Sequence, residues 1–271
     1  MFIYFPFKTV RRYLFNFENE PKGAQMTHLE KSNSAILAKA ATLKGVLFDF
    51  EGTLVDFQWQ LEPAVEETLE ALSKAGFKRQ WYGEKPGYAH IYNHTLDLAE
   101  QGKGEKSSNS ARDLMDRIYD RYDAAALTRW NRYPDTLEML EELRDQGFKM
   151  GLVSNVGEAS LQEAMEKLGL SGLLQVVISR DDVSRLKPHP EGLLTALKAL
   201  DLAPGETLLV GDSRNDVGAA RRAGMMAGYL RGGEDSPEAM ALFPADLELD
   251  ALHQLPPILT GSPVNPSIYL A

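Results

Sequence analysis

Gly45-Val46-Leu47-Phe48-Asp49-Phe50 is a short apolar run that takes in one acid, and Glu51-Gly52-Thr53-Leu54 stops it. A short apolar run bounded by turn residues is the pattern of a strand buried on both faces. An unpaired charge inside such a strand is costly, so Asp49 is expected where the strand ends. Similar runs recur downstream at Met150-Gly151-Leu152-Val153, Gln175-Val176-Val177-Ile178, Thr207-Leu208-Leu209-Val210 and around Ala227-Gly228-Tyr229-Leu230. The intervals between them carry helical stripes: Leu137, Leu140 and Leu143 up to Gly147; Leu161, Met165 and Leu168; Leu193, Leu197 and Leu200; Val217 and Ala220. Asp135 is placed to cap the first of these helices. Buried strands alternating with helices predict an α/β fold, a doubly wound parallel sheet with a Rossmann-like core.

One interval breaks the alternation. Residues 58–132 read as helix, with Leu61, Val65, Leu69 and Leu72 on one stripe, Leu114, Ile118 and Tyr122 on another, and a polar loop over 101–110 between them. The chain therefore divides into a core of residues 41–57 and 133–260, an inserted helical unit of 58–132, an extension of 1–40 and a tail of 261–271. Phe57–Glu62 and the region around Tyr133-Pro134 are the expected linkers.

The bulk composition removes several classes of function. A chain of 271 residues with 44% hydrophobic and 25% charged residues is an ordinary globular sequence. Its formal charge of −10 and pI near 5.1 argue against a nucleic-acid partner. No cysteine is present, which excludes disulfides and thiolate chemistry and suits a reducing cytoplasm. Residues 1–20 are aromatic but interrupted by Lys8, Arg11 and Arg12, too broken for stable membrane insertion. They read as a packed extension, or as sequence ahead of a start at Met26. Monomer and homodimer stay equally open.

In open parallel sheets, ligands bind beyond the carboxyl ends of the strands. The expected first strand delivers Asp49 and Glu51 there, the second Ser154 and Asn155, and the fourth Asp212 and Asp216; Lys187 lies in the segment between the third and fourth. Such a set suits phosphoryl transfer. A phosphorus centre ringed by negative oxygens repels an anionic nucleophile, so a divalent cation such as Mg²⁺ is expected, held by the hard oxygens of Asp49 and Asp212. Asp49 can attack phosphorus and split one hard displacement into two easier ones. Lys187 and the Ser154 hydroxyl can hold the equatorial oxygens. Asp216, one helical turn beyond Asp212, can orient Lys187 or a metal-bound water.

Asp49-Phe50-Glu51-Gly52-Thr53-Leu54, Ser154-Asn155, Lys187-Pro188 and Gly211-Asp212-Ser213-Arg214-Asn215-Asp216 together resemble the four motifs of the haloacid dehalogenase (HAD) superfamily. The resemblance covers about residues 41–260, and the helical insertion resembles its type C1 cap; the general likeness is to phosphoglycolate-phosphatase-like members. It implies a phosphatase of a small phosphorylated metabolite. Asp49 would be the nucleophile, Ser154, Asn155 and Lys187 the phosphate-binding residues, and Asp212 with the carbonyl of Glu51 further Mg²⁺ ligands. The family pattern has an Asp where this chain has Glu51, the residue that would protonate the leaving alkoxide. Glu retains the acid–base chemistry but adds a methylene. A phosphomutase of the same family, or an attenuated phosphate-binding or regulatory module, are the alternatives.

Weaker signals have plainer explanations. Gly102–Ser107 lacks the spacing and strand context of a phosphate-binding loop and reads as a hairpin tip. Tyr88, His90, Tyr92 and His94 read as packing within the insertion, with contact to a leaving group as the alternative; Arg129 and Trp130 read as surface and core residues. Substrate choice is expected to reside in residues 58–132. Exchanging that segment for another family member's insertion should change the preference between esters in a steady-state screen; an unchanged preference would refute the assignment.

Overall fold

A computed structural model describes residues 35–262. The aromatic segment of residues 1–20 and the tail from residue 263 lie outside the described residues. Residues 35–40 are helical (α1), and Ala40 is wholly buried, so the core begins before the boundary at residue 41.

The sheet has six strands in the order β3-β2-β1-β4-β5-β6, every neighbouring pair parallel. They are β1 (Gly45–Phe48), β2 (Lys149–Val153), β3 (Val176–Ile178), β4 (Thr207–Gly211), β5 (Met226–Leu230) and β6 (Leu247–Leu249). The chain runs outward from β1 through β2 to β3, then returns to the other side of β1 to form β4. That reversal makes the gap between β1 and β4 the topological switch point. Phe48 lies in register with Leu152 on one side and Val210 on the other. The next residues of the central strands, Asp49, Val153-Ser154 and Gly211-Asp212, therefore reach a common rim. The ladder continues one step further, since the Asp49 N–H donates to the Val210 carbonyl at 2.9 Å and that of Ser154 to Ile178 at 2.9 Å.

Flanking the sheet are α5 (Thr136–Asp145), α6 (Glu158–Lys167), α7 (Glu191–Leu200) and α8 (Arg214–Ala223). Helix α7 packs on β2 and β3, and α8 on β4 and β5. Helix α5 packs against the short turn Leu252–Gln254 and the helix after it, Leu255–Thr260. The expected cap on α5 is corrected. The Asp135 carboxylate makes no bond to its own helix and accepts from the His253 N–H at 2.8 Å and Nδ1 at 3.0 Å. A tertiary donor on the Leu252–Gln254 turn outcompetes the local one. Strand β6 was not foreseen because Glu248 stands between its two leucines, so no continuous apolar run marks it.

The insertion contributes α2 (Leu61–Lys74), α3 (Tyr88–Glu100) and α4 (Ser108–Leu127), which pack on one another. Both connections to the sheet run side by side: Val55 bridges Arg132, and the Asp56 N–H donates to the Asn131 carbonyl at 2.9 Å. The helices lie over the strand ends and are clamped to the segment after β3. Arg180, 1% exposed, pairs with Asp123 at 2.8 Å, Asp116 at 3.3 Å and Asp120, all on α4. Arg185 pairs with Asp97 and Glu100 of α3 at 3.0 and 2.7 Å. Asn93 exchanges two hydrogen bonds with the Leu186 backbone at 2.8 and 2.9 Å. Breaking a buried pair such as Arg180–Asp123 from one side leaves an uncompensated charge and costs about 3–5 kcal/mol.

Leu47, fully buried in β1, sits at the centre of the sheet. Leu47→Ala is expected to remove about 2–5 kcal/mol of unfolding free energy in urea denaturation. A loss well under 1 kcal/mol would show that the centre of the sheet is not close-packed.

Candidate active site

Lys187 holds the rim together from beneath. Its ammonium reaches Asp49 Oδ1 at 2.7 Å, Asp216 Oδ1 at 2.7 Å and the Val153 carbonyl at 2.8 Å, which uses all of its donors. It is 4% exposed, Asp216 1% and Asp49 14%, so of the three Asp49 alone presents an edge outward. Burial pulls the Lys187 ammonium towards neutrality, and the Asp216 and Asp49 charges outweigh it, holding its pKa above the ordinary value. Asp216 Oδ2 accepts from the Ser213 hydroxyl at 2.6 Å and N–H at 3.2 Å. Both Asp216 oxygens are thereby occupied, and its role is to fix Lys187 and the start of α8.

Asp212, 1% exposed, stands beside this pair. Its Oδ2 accepts from the Glu234 N–H, and among the described residues no cation is paired with it. Asp49, Asp212 and Asp216 each present a carboxylate oxygen within 4.8 Å of the others. A side chain at Gly52, where φ is 79°, or at Gly233 would collide with the Asp212 carboxylate. Burial, then the Asp216 and Asp49 charges, push the Asp212 carboxyl well above its usual range. Burial and Asp216 push Asp49 up to about 6, against the pull of Lys187. One ammonium thus faces three clustered carboxylates, and the donor set is hard oxygen. Those features fit a divalent cation at Asp49 and Asp212. The Glu51 carbonyl oxygen, which accepts no hydrogen bond among the described residues, is available as a further ligand.

Glu51 has an unexpected setting. Its Oε1 accepts from the backbone N–H groups of Gln58 at 2.6 Å and Trp59 at 2.5 Å and from the Trp130 indole at 2.8 Å. Gln58 and Trp59 lie in the linker into the insertion and Trp130 in the linker out of it. Burial outweighs these donors and pushes the Glu51 carboxyl up to about 7. Its second oxygen accepts no hydrogen bond among the described residues. Trp130, read from sequence as a core residue, is buried and stacks edge-on against Phe50 with centroids 5.1 Å apart.

Asp49, Glu51, Ser154 and Asn155 line one cavity of about 30 Å³ under the insertion. Ser154 Oγ accepts from the Val156 N–H at 3.2 Å, which leaves its own proton free to donate. Asn155 donates to the Tyr88 hydroxyl at 3.0 Å and accepts from the Lys187 N–H at 3.0 Å. Further lining comes from Trp59, Tyr88, Asp123, Arg180 and Glu234. Of these, Arg180, Glu234 and Asp123 were missed. Arg180 follows β3 and Glu234 follows β5, so the strand-end rule that found Asp49 would have found them had it been applied to every strand. Asp123 had no signal, because an acid on a helix is ordinarily solvated. His90 and His94 stack with centroids 5.3 Å apart, and no third metal-ligating group joins them among the described residues.

Known proteins agree with this architecture. Residues 46–228 match the haloacid dehalogenase-like hydrolase family. The phosphoglycolate phosphatase of Salmonella paratyphi A (strain ATCC 9150 / SARB42) is 32% identical over 239 residues, covering 82% of this chain and 94% of that protein. The phosphoglycolate phosphatase of Escherichia coli (strain K12) is 31% identical over 239 residues with the same coverage. Among solved structures, a HAD phosphatase from Thermococcus onnurineus is 29% identical, with a TM-score of 0.50 over 82% of this chain and 100% of that one. A HAD family hydrolase from Deinococcus radiodurans R1, at 23% identity and a TM-score of 0.54, shares the fold over 82% of this chain and 96% of its own. With its motifs gathered at the switch point of a six-stranded parallel sheet and its sequence matched through most of that core, the chain belongs to the haloacid dehalogenase-like hydrolase family.

Proposed function

We propose that this chain is a metal-dependent phosphatase that hydrolyses a small organic phosphate monoester through a phosphoryl group carried on Asp49. The observation that carries the reading is the Asp49 carboxylate at the floor of a cavity, 2.7 Å from a buried ammonium and beside Asp212, which pairs with no cation among the described residues. The curated relatives named as phosphatases support it. A divalent cation, magnesium by its preference for carboxylate oxygen, would be held by Asp49, Asp212 and the Glu51 carbonyl and would offset the negative charge of the phosphoryl oxygens.

The chain's own residues supply the rest. An Asp49 oxygen attacks phosphorus, the bond from phosphorus to the ester oxygen breaks, and the departing alkoxide takes a proton from Glu51. Water then attacks the aspartyl-phosphate, gives its proton to Glu51 and releases phosphate, which restores Asp49. Lys187 and the Ser154 hydroxyl hold the equatorial oxygens while charge shifts. Glu51 Oε2 is the atom that carries the proton, because Oε1 is held by the linker donors. A carboxyl raised to about 7 is partly protonated at neutral pH, as an acid that also serves as a base requires.

Asp49→Asn is expected to abolish Mg²⁺-dependent hydrolysis of an aryl phosphate, and chelation to do the same to the wild type. Glu51→Asp withdraws the carboxylate from its linker donors and should lower the rate by about a hundredfold. Turnover indifferent to Asp49 ends the phosphatase reading, and a rate raised by Glu51→Asp favours an attenuated enzyme.

Glu51 also links stability to pH. Its folded pKa lies above the ordinary value of 4.5, so the folded state binds the extra proton. The associated stability is present below pH 4.5 and is lost as pH rises towards 7. Glu51→Gln lacks this dependence. In chelated buffer, its stability relative to wild type should rise by about 3 kcal/mol between pH 4.5 and 8. Parallel urea-midpoint profiles for the two proteins would contradict the shift.

A further inference from the structure

We infer that the alcohol this site releases is uncharged and bears a further hydroxyl, and that Asp123 and Trp59 select it against alcohols bearing a carboxylate. This rests on the phosphatase reading and concerns the other end of the same cavity. The reasons are charge and hydrogen-bond capacity.

Arg180 is the lining cation, and its charge is already matched. Asp123 and Asp116 lie 2.8 and 3.3 Å from its guanidinium, and Asp120 joins them. Lys187 is likewise committed to Asp49 and Asp216. Meanwhile three acids, Asp116, Asp120 and Asp123, surround that one guanidinium, and Asp123 lines the cavity. A substrate carboxylate placed there meets the Asp123 carboxylate with no uncommitted cation among the lining residues, which is the repulsive element that specificity needs.

The unused hydrogen-bonding atoms point the same way. Asp123 Oδ2 accepts from Arg180 at 2.8 Å and from the Gly157 N–H at 2.9 Å, and its Oδ1 accepts nothing among the described residues. Trp59, 8% exposed, lines the cavity, and its buried indole N–H has no acceptor among the described residues. The Tyr88 oxygen accepts from Asn155, while its own proton has no acceptor among the described residues. Buried donors without partners are costly. The site therefore offers donors from Trp59 and Tyr88 and an acceptor from Asp123. A hydroxyl both accepts and donates and can answer the two kinds together; a carboxylate accepts only, and an ammonium donates only.

The test compares kcat/KM for glycerol phosphate, phosphoglycolate and phosphoethanolamine, with an aryl phosphate as reference, in wild type, Asp123→Asn and Trp59→Phe. Glycerol phosphate is expected to exceed both others by about tenfold or more. Asp123→Asn should shrink its advantage over phosphoglycolate. Trp59→Phe keeps the aromatic packing and should lower the ratio of glycerol phosphate to aryl phosphate by about fivefold; this variant decides the matter if Asp123→Asn does not fold. Phosphoglycolate or phosphoethanolamine turned over as well as glycerol phosphate overturns the inference and leaves the phosphatase reading intact. Absence of aryl phosphate turnover in wild type overturns both.

Discussion

A single buried ammonium organises this protein. Lys187 Nζ donates to Asp49, Asp216 and the Val153 carbonyl, and each acceptor belongs to a different part of the sheet rim. Taking that charge out of water is expensive, and the arrangement holds because every proton finds an oxygen. The cost of leaving any one acceptor unpaired explains the geometry around it. Asp216 is fixed by Ser213, and Gly211 leaves room for it where a side chain would collide. The same ion pairs set the limit of what Lys187 can do, because its three donors are used and none goes to Asp212.

The strand order converts this local chemistry into a site. Because β1 and β4 are neighbours in space while the chain departs from them in opposite directions, their loops diverge and leave a crevice. The helical insertion closes that crevice through groups that also belong to it. Glu51 accepts from both linkers, and Arg180 carries the acids of α4 at the end of β3. Placement of the insertion and polarity of the cavity are thus decided by the same side chains. An aromatic nest supports them, with Trp59 5.0 Å from Tyr88 and 5.5 Å from Tyr119 between ring centroids.

Glu51 shows how a change of one methylene is absorbed. The family pattern has an Asp at this position. The longer side chain here reaches linker N–H groups and the Trp130 indole, and burial still wins over those donors. The residue therefore anchors both linkers through one oxygen and leaves the other without a donor among the described residues. The other end of the cavity is lined by Asp123 on an inserted helix and by Glu234 after β5.

Amino-acid order alone determined five of the six strands and most of the polar residues gathered at their ends. Buried strands announce themselves by short apolar runs, and a polar residue that stops such a run must lie at its end, which located Asp49, Ser154 and Asp212. Lys187 and Asp216 followed from their spacing relative to those ends. What only tertiary structure decided is which charges cancel. Asp123 is an ordinary helical acid until Arg180 is brought against it, Asp135 is a helix cap until His253 offers a better donor, and Glu51 faces the insertion because Trp130 arrives from far along the chain. Pairing and desolvation depend on distances between residues remote in sequence, and no periodicity of side chains encodes them.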